Sequence, residues 1–94
     1  MKKANVAVLF GGMSTEHEVS CRSAVFVIRN IDREKYDVRL FGITKKGVWY
    51  LYEGNTENIE NGSWVKEAEQ GPQPLYKTEQ FIKELKNIDI VFPV

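Results

Sequence analysis

The sequence predicts an α/β fold, in which a mostly parallel sheet carries flanking helices and an antiparallel hairpin at its edge. A short apolar run, residues 5–10, ends at a pair of glycines and is followed by a helical pattern and a second strand-like run, 36–44. A strand, a helix and a strand in this order form a right-handed βαβ unit. A turn of two lysines and a glycine, 45–47, leads into the run 48–52, which predicts a returning strand.

The first helix has a start signal just after the glycine pair. Thr15 and Glu18 are spaced as a capping box, in which each side chain accepts a hydrogen bond from a free N–H of the first turn. Helical spacing then predicts a buried side. Its members are Ser20, Ala24, Val27, Ile28 and Ile31, with Cys21 and Val25 beside them. A cysteine on such a side is ordinary core material and not a nucleophile.

The second half of the chain has weaker patterns. Residues 53–74 are rich in Asn, Glu, Gly and Pro, and Trp64 with Val65 predicts one short strand on the sheet. Thr78 predicts the N-cap of a short helix, and the run 88–92 predicts a parallel central strand. The buried side of that helix is predicted to consist of Phe81, Ile82 and Leu85.

Composition limits the classes of function. Thirteen basic and thirteen acidic residues cancel, so no excess positive field attracts nucleic acid or anionic lipid. One cysteine excludes an intramolecular disulfide, and no apolar run approaches the roughly 20 residues that span a bilayer. We therefore expect a cytoplasmic protein with no nucleic-acid or membrane partner. Because residues 89–94 are strand-like with no covering element after them, we expect residues 1–94 to be the first domain of a longer protein.

Glu16 is the residue most suited to binding a ligand. It lies where the first strand ends and the helix begins, so the positive end of the helix dipole favours its ionised form. Such a carboxylate can bind a substrate ammonium group, although acidic residues also occur there simply to complement the dipole. His17 is the single histidine, which excludes a multi-histidine metal site. A histidine in the first turn of a helix is more often a partly exposed side chain than a catalyst, so we expect His17 to be partly exposed. Glu18 is explained by the capping box.

Two other features have structural explanations. The glycine pair Gly11-Gly12 lacks the patterns of phosphate-binding loops, so a close backbone turn is the better reason for it. The aromatic residues Trp49, Tyr50 and Tyr52 could stack on a base, but no basic surface accompanies them. Packing on the sheet explains these aromatic residues better.

The run from Val8 to Ser20, VLFGGMSTEHEVS, resembles the N-terminal signature of D-alanine–D-alanine ligases, roughly VLFGG-x-S-x-E-x-E-V-S. Residues 42–44 and 47–49 are similar to the second strand and hairpin of the same family, including its vancomycin-resistance relatives that make D-Ala-D-Ser or D-Ala-D-Lac. The run 89–94 resembles the strand that leads into a Leu-His-Gly loop in that family.

This resemblance implies the Rossmann-like first domain of a three-domain ATP-grasp enzyme of peptidoglycan synthesis. ATP and Mg²⁺ would phosphorylate the carboxylate of one D-alanine, and the amine of a second would attack the acyl phosphate. Glu16 would be the catalytic and substrate-binding residue that holds the ammonium group of the first D-alanine, with Val19 near its methyl group. The family also implies a homodimer. The ATP and metal sites would lie in later domains, so we expect no metal and no cofactor on these 94 residues, and no activity from them alone.

Two alternatives remain open. Later domains would choose between D-alanine, D-serine and D-lactate as second substrate, so this sequence does not decide it. A standalone Rossmann-like module is the other alternative. It would hold a small anion at the glycine turn and use the aromatic hairpin as a partner surface.

Overall fold

The computed structural model of the chain describes residues 3–71 and 79–94. Within these ranges, strands and helices form one unit around a single sheet, whose strand order is β3-β2-β1-β4. In chain order the elements are β1 (Ala4–Gly11), α1 (His17–Asn30), β2 (Tyr36–Ile43), β3 (Trp49–Tyr52), α2 (Thr56–Asn61), α3 (Trp64–Glu69), α4 (Glu79–Lys86) and β4 (Ile90–Pro93). None of the helices in the described ranges is long and apolar enough to cross a membrane.

The sheet confirms the predicted fold class. Strand β1 pairs in parallel with β2 on one side and with β4 on the other. Strand β3 returns antiparallel to β2 through a turn in which Gly47 has a φ of 82°. The carboxyl ends of β1, β2 and β4 therefore lie at one edge, which is where ligands gather in open α/β sheets.

The position predicted for the last strand is wrong. Strand β4 is parallel, as expected, but it pairs only with β1 and forms an edge of the described sheet. Its apolar residues Ile90, Val91 and Phe92 are 43%, 54% and 45% exposed. A central strand needs a neighbour on each side, and no described strand lies beyond β4.

Helix α1 covers one face of the sheet and forms the main core with it. The predicted buried side is confirmed, with Val27 and Ile31 only partly buried. The buried members of this side, together with the buried residues of β1 that face it, are Ser20, Cys21, Ala24, Val25, Ile28, Val6, Val8 and Phe10.

The strand predicted at Trp64 and Val65 is wrong, because both residues belong to α3. The Asn55 side chain caps α2, and Gly62, with a φ of 87°, ends it, so the chain turns directly into a second short helix. Trp64 is fully buried, and its ring packs edge-on against the Phe10 ring, with 4.9 Å between the ring centroids. Two short helices thus complete the core beside α1.

The buried side predicted for α4 is wrong for two of its residues, since Ile82 and Leu85 are 56% and 52% exposed. The other residues of that prediction, Thr78 and the Phe81 side chain, lie outside the described residues. Among the described residues, the sheet face opposite α1 carries a second core built on Ala7 and Phe41, with Leu9, Leu51 and Ile88 packed against them.

Candidate functional site

A close backbone turn connects β1 to the start of α1. Gly11 and Gly12 have φ values of 89° and 111°, a region that glycine adopts without strain. A Cβ atom on Gly11 would lie 2.2 Å from the carbonyl oxygen of Ile43, the last residue of β2. The Gly12 N–H donates to that same oxygen at 2.8 Å. These contacts confirm the expected close backbone turn, which at Gly11 leaves no room for a side chain.

The capping box predicted from Thr15 and Glu18 is wrong. Glu16 is the N-cap of α1 and makes no side-chain cap, while its N–H donates to Ser14 Oγ at 3.1 Å. Glu18 instead forms an ion pair with Lys45 in the turn between β2 and β3. The hydrogen bond from Lys45 lowers the pKa of the Glu18 carboxyl below its ordinary value of 4.5. A charged partner from a distant turn thus replaces the local contact.

Glu16, the predicted ammonium-binding residue, is exposed at the edge where β1 and β2 end. It precedes the first residue of a 14-residue helix, so the helix dipole favours a negative charge there. Across residues 3–71 and 79–94, no lysine or arginine forms an ion pair with it. Its carboxylate is therefore accessible to a cation from solution.

Val19, the second predicted residue, lies three positions further along α1. It is 46% exposed. Residues three apart in a helix are neighbours on one face, so Val19 is expected on the same side of α1 as Glu16. The arrangement combines a carboxylate with a small accessible apolar side chain, which suits a small amino acid with an apolar side chain.

His17 differs from expectation, because it is buried and not partly exposed. Only 5% of its surface is accessible. Its Nδ1 lies 2.8 Å from the Gly12 carbonyl oxygen. Its ring stacks on the Trp64 ring, with 6.0 Å between the ring centroids and an interplanar angle of 11°. Nδ1 carries the proton in this contact, because a carbonyl oxygen can only accept. The imidazole therefore connects the glycine turn to the core, by a hydrogen bond to the turn and a stacking contact with Trp64. No local pattern around His17 indicates this role.

Ser20 is a site residue that the sequence analysis placed only on the buried side of α1. It is 8% exposed. The Gly11 N–H donates to Ser20 Oγ at 3.0 Å, and Ser20 Oγ donates to the Val94 carbonyl oxygen at 2.6 Å. One hydroxyl thus joins α1 to β1 and to the end of β4. A serine in an apolar helix stripe is the one sequence signal for such a contact.

A cavity of about 370 Å³ lies beside this edge, between α1, the β2–β3 turn and helices α2 and α3. Cys21, Ile59 and Val65 form its apolar part, and neither Glu16 nor Val19 lines it. Burial raises the pKa of the Cys21 thiol, which keeps it protonated and unreactive, as expected for core material. Nowhere in the described ranges do three His, Cys, Asp or Glu side chains come together as metal ligands would.

Comparisons with known proteins give the chain's relatives. The chain is 48% identical over 101 residues to a D-alanine–D-alanine ligase of a Thermoanaerobacter species, across 100% of this chain and 28% of that protein. It is 43% identical over 96 residues to a vancomycin C-type resistance protein of Enterococcus gallinarum, across 100% of this chain and 27% of that protein. The chain thus spans about a quarter of the length of these relatives.

A solved structure and a family model give the same result. The crystal structure of the VanG D-Ala:D-Ser ligase from Enterococcus faecalis superposes with a TM-score of 0.69 and 44% identity, across 72% of this chain and 20% of that one. Residues 5–94 match the family model of the D-Ala–D-Ala ligase N-terminus. The resemblance noted from the sequence is confirmed: this chain belongs to the D-alanine–D-alanine ligase family and corresponds to its N-terminal part.

Proposed function

We propose that this chain is the D-alanine-binding N-terminal domain of an ATP-dependent D-alanine–D-alanine ligase of peptidoglycan synthesis. The observation that carries the proposal is the Glu16 carboxylate, exposed where β1 ends and α1 begins, with no ion-pair partner among the described residues. Its place in the family signature supports the assignment. The whole enzyme would act in the cytoplasm as a homodimer, as the resemblance implies.

In the proposed reaction this chain orients one amino acid. The Glu16 carboxylate accepts hydrogen bonds from the ammonium group of the first D-alanine, and Val19 contacts its methyl group. The carboxylate of the amino acid then faces away from Glu16, toward the ATP that would phosphorylate it. Holding reactants in a fixed relative orientation removes much of the entropic barrier to such a ligation.

ATP and Mg²⁺ would bind to later domains. The described part of this chain offers no group of three metal-ligating side chains. ATP would supply the phosphoryl group that activates the carboxylate for attack by the amine of the second amino acid. What we assign to this chain is limited to binding and orienting the first amino acid.

The test is Glu16→Gln in the full-length enzyme. This change removes the negative charge but keeps the size of the side chain, so we expect the KM for the first D-alanine to rise about tenfold to a hundredfold. The KM for ATP should stay within about twofold, since no ATP contact is assigned to Glu16. Steady-state kinetics with D-alanine and ATP varied separately measure both values.

Glu18→Gln is the matched control, because Glu18 lies two residues away and already pairs with Lys45. It should leave both KM values close to those of the wild type. Equal effects of Glu16→Gln on the two substrates, or no effect on either, would remove Glu16 from the proposed role.

A D-Ala-D-Ser ligase is the second candidate, favoured by the similarity to the VanG structure. Mass spectrometry of the products formed with D-alanine plus D-serine or D-lactate separates the candidates. The standalone module is tested by the coding sequence beyond Val94. Continuation into a His-Gly loop and further domains supports the ligase, whereas a stop codon at that point supports the module.

A further inference from the structure

We propose that Ser20 is a positioning residue for the ammonium site, and that its hydroxyl holds the first turn of α1 in register with the carboxyl ends of β1 and β4. The proposal rests on the function proposed above for Glu16. It adds a residue that does not touch the substrate but sets where the substrate-binding residues lie.

The Ser20 hydroxyl uses its donor and its acceptor on two different strands. Its oxygen accepts from the Gly11 N–H at 3.0 Å, and its proton goes to the Val94 carbonyl oxygen at 2.6 Å. With one bond received and one given, the orientation of the O–H is determined. At 8% exposure, water has little access to compete for these bonds.

Both strand contacts are themselves fixed in place. A side chain on Gly11 would overlap the Ile43 carbonyl, so the end of β1 is closely packed on β2. The Val94 N–H donates to the Leu9 carbonyl oxygen at 3.0 Å, which keeps the residue after β4 in register with β1. Ser20 is thus joined to a rigid edge of the sheet.

The backbone of Ser20 is joined to the ammonium site. Its N–H donates to the Glu16 carbonyl oxygen at 2.8 Å, which is the first hydrogen bond of α1. Val19 is the preceding residue of the same turn. The side chain of Ser20 is therefore hydrogen-bonded to the sheet. Its main chain is hydrogen-bonded to Glu16 and continues from Val19, so it sets the position of both residues relative to the strand ends.

Removal of the hydroxyl would leave two partly buried backbone groups, the Gly11 N–H and the Val94 carbonyl oxygen, without this partner. Such groups regain hydrogen bonds only by a local shift or by admitting water. Either response moves the first turn of α1 relative to the strand ends. Because binding of a small substrate depends on placement to a fraction of an ångström, a shift of this kind weakens the ammonium contact.

The test uses the full-length enzyme with Ser20→Ala. We expect the KM for the first D-alanine to rise about tenfold, while the KM for ATP stays within about twofold. Ser20→Cys has nearly the same shape but a weaker hydrogen-bonding group, so its KM for the first D-alanine should fall between those of Ser20→Ala and the wild type. Ser23→Ala, an exposed serine of the same helix, is the control and should match the wild type.

All variants are assayed well below their melting temperatures, so that loss of folded protein does not affect the KM values. An unchanged KM for D-alanine in Ser20→Ala, or an equal rise for both substrates, would show that Ser20 only stabilises the fold and would overturn the proposal. If Glu16→Gln shows its expected effect while Ser20→Ala does not, this inference alone fails. If Glu16→Gln has no effect, the function proposed for Glu16 fails first.

Discussion

Strands β2 and β4 both pair in parallel with β1, yet they belong to very different surroundings. On the β2 side, α1, α2 and α3 cover the sheet and bury an aromatic cluster around Trp64. On the β4 side the strand is an open edge. Phe10, whose ring packs on Trp64 in that cluster, is 1% exposed, whereas Phe92 on β4 is 45% exposed. Backbone pairing places a strand, but covering helices provide its burial.

The two sides also differ in what holds them. The glycine turn and His17 are fixed by close packing against Ile43 and Trp64. The segment around β4 is held by polar contacts of its own, including a bond from the Asn5 N–H to the Asp89 carboxylate at 2.8 Å. The proposed ammonium site lies where these two sides meet. Breaking each side separately should therefore have unequal effects.

The largest expected effect comes from Gly11→Ala. The new Cβ would lie 2.2 Å from a backbone oxygen, at a φ of 89°, so the strand ends must separate. Overlap and backbone strain together should lower the free energy of unfolding by roughly 3–6 kcal/mol, which is much of the stability of a small domain. Urea-induced unfolding followed by circular dichroism measures the loss.

Gly12→Ala measures the cost of backbone strain without the steric overlap that Gly11→Ala introduces. Its φ of 111° is also unfavourable for alanine, but nothing lies within 4 Å of the new Cβ. We expect a loss of only about 1–2 kcal/mol. Equal losses in the two variants would mean that the contact with Ile43 does not hold the strand ends together.

Much of the covered side could be predicted from the sequence because its signals are local. An apolar run ending in glycines, a helical stripe and a lysine-lysine-glycine turn are each recognisable within a dozen residues. The position of Glu16 at the start of α1 followed from the same local pattern. The role of Glu16 in binding D-alanine came from the family resemblance and stays a prediction.

The rest depends on contacts that no local pattern contains. His17 is buried because Trp64, far along the chain, stacks on it. The capping box failed because Lys45 binds Glu18 from another turn. The short apolar pair at Trp64 fits a strand or a helix equally well, and the better signals were Asn55 and the glycine that ends α2.

The position of β4 shows a further limit of sequence analysis. An apolar run of four or five residues predicts a strand, but strand order depends on which neighbours the complete sheet has. The same holds for α4, whose hydrophobic residues predict a buried side only if a large apolar surface lies beneath them. The residues of one helix or strand do not indicate which other helix or strand it packs against.

The next largest effect contrasts two phenylalanines on neighbouring strands. Phe10→Ala should lower the free energy of unfolding by about 3–5 kcal/mol, because it leaves a cavity beside the Trp64 ring. Phe92→Ala should cost about 1 kcal/mol, because nearly half of that side chain is already in water. Urea unfolding of both variants of the 94-residue chain measures the difference.

The same pair of variants in the proposed full-length ligase sharpens the comparison. If further residues cover β4 there, the cost of Phe92→Ala should rise toward that of Phe10→Ala. Losses of similar size already in the 94-residue chain would contradict the open edge described for β4.

The smallest effects concern the ion pairs on the two sides. Arg39 Nε lies 3.0 Å from Glu84 Oε2, which joins α4 to β2, and the Glu84 side chain is only 15% exposed. This oxygen is buried and receives no hydrogen bond of regular geometry among the described residues, so the contact is mainly electrostatic. Glu84→Gln should lower the free energy of unfolding at pH 7 by about 1 kcal/mol.

Glu18→Gln, on the covered side, should have a smaller effect than Glu84→Gln, because Glu18 and Lys45 are both more than half exposed. Since Lys45 lowers the pKa of Glu18 in the folded protein, this pair stabilises the fold above pH 4.5 and stops doing so as the pH falls through the lowered value. The stability curves of Glu18→Gln and the wild type should therefore differ slightly at pH 7 and converge in acid. Urea unfolding between pH 3 and pH 7 measures them, and curves that diverge in acid would show that Lys45 does not stabilise the ionised carboxylate.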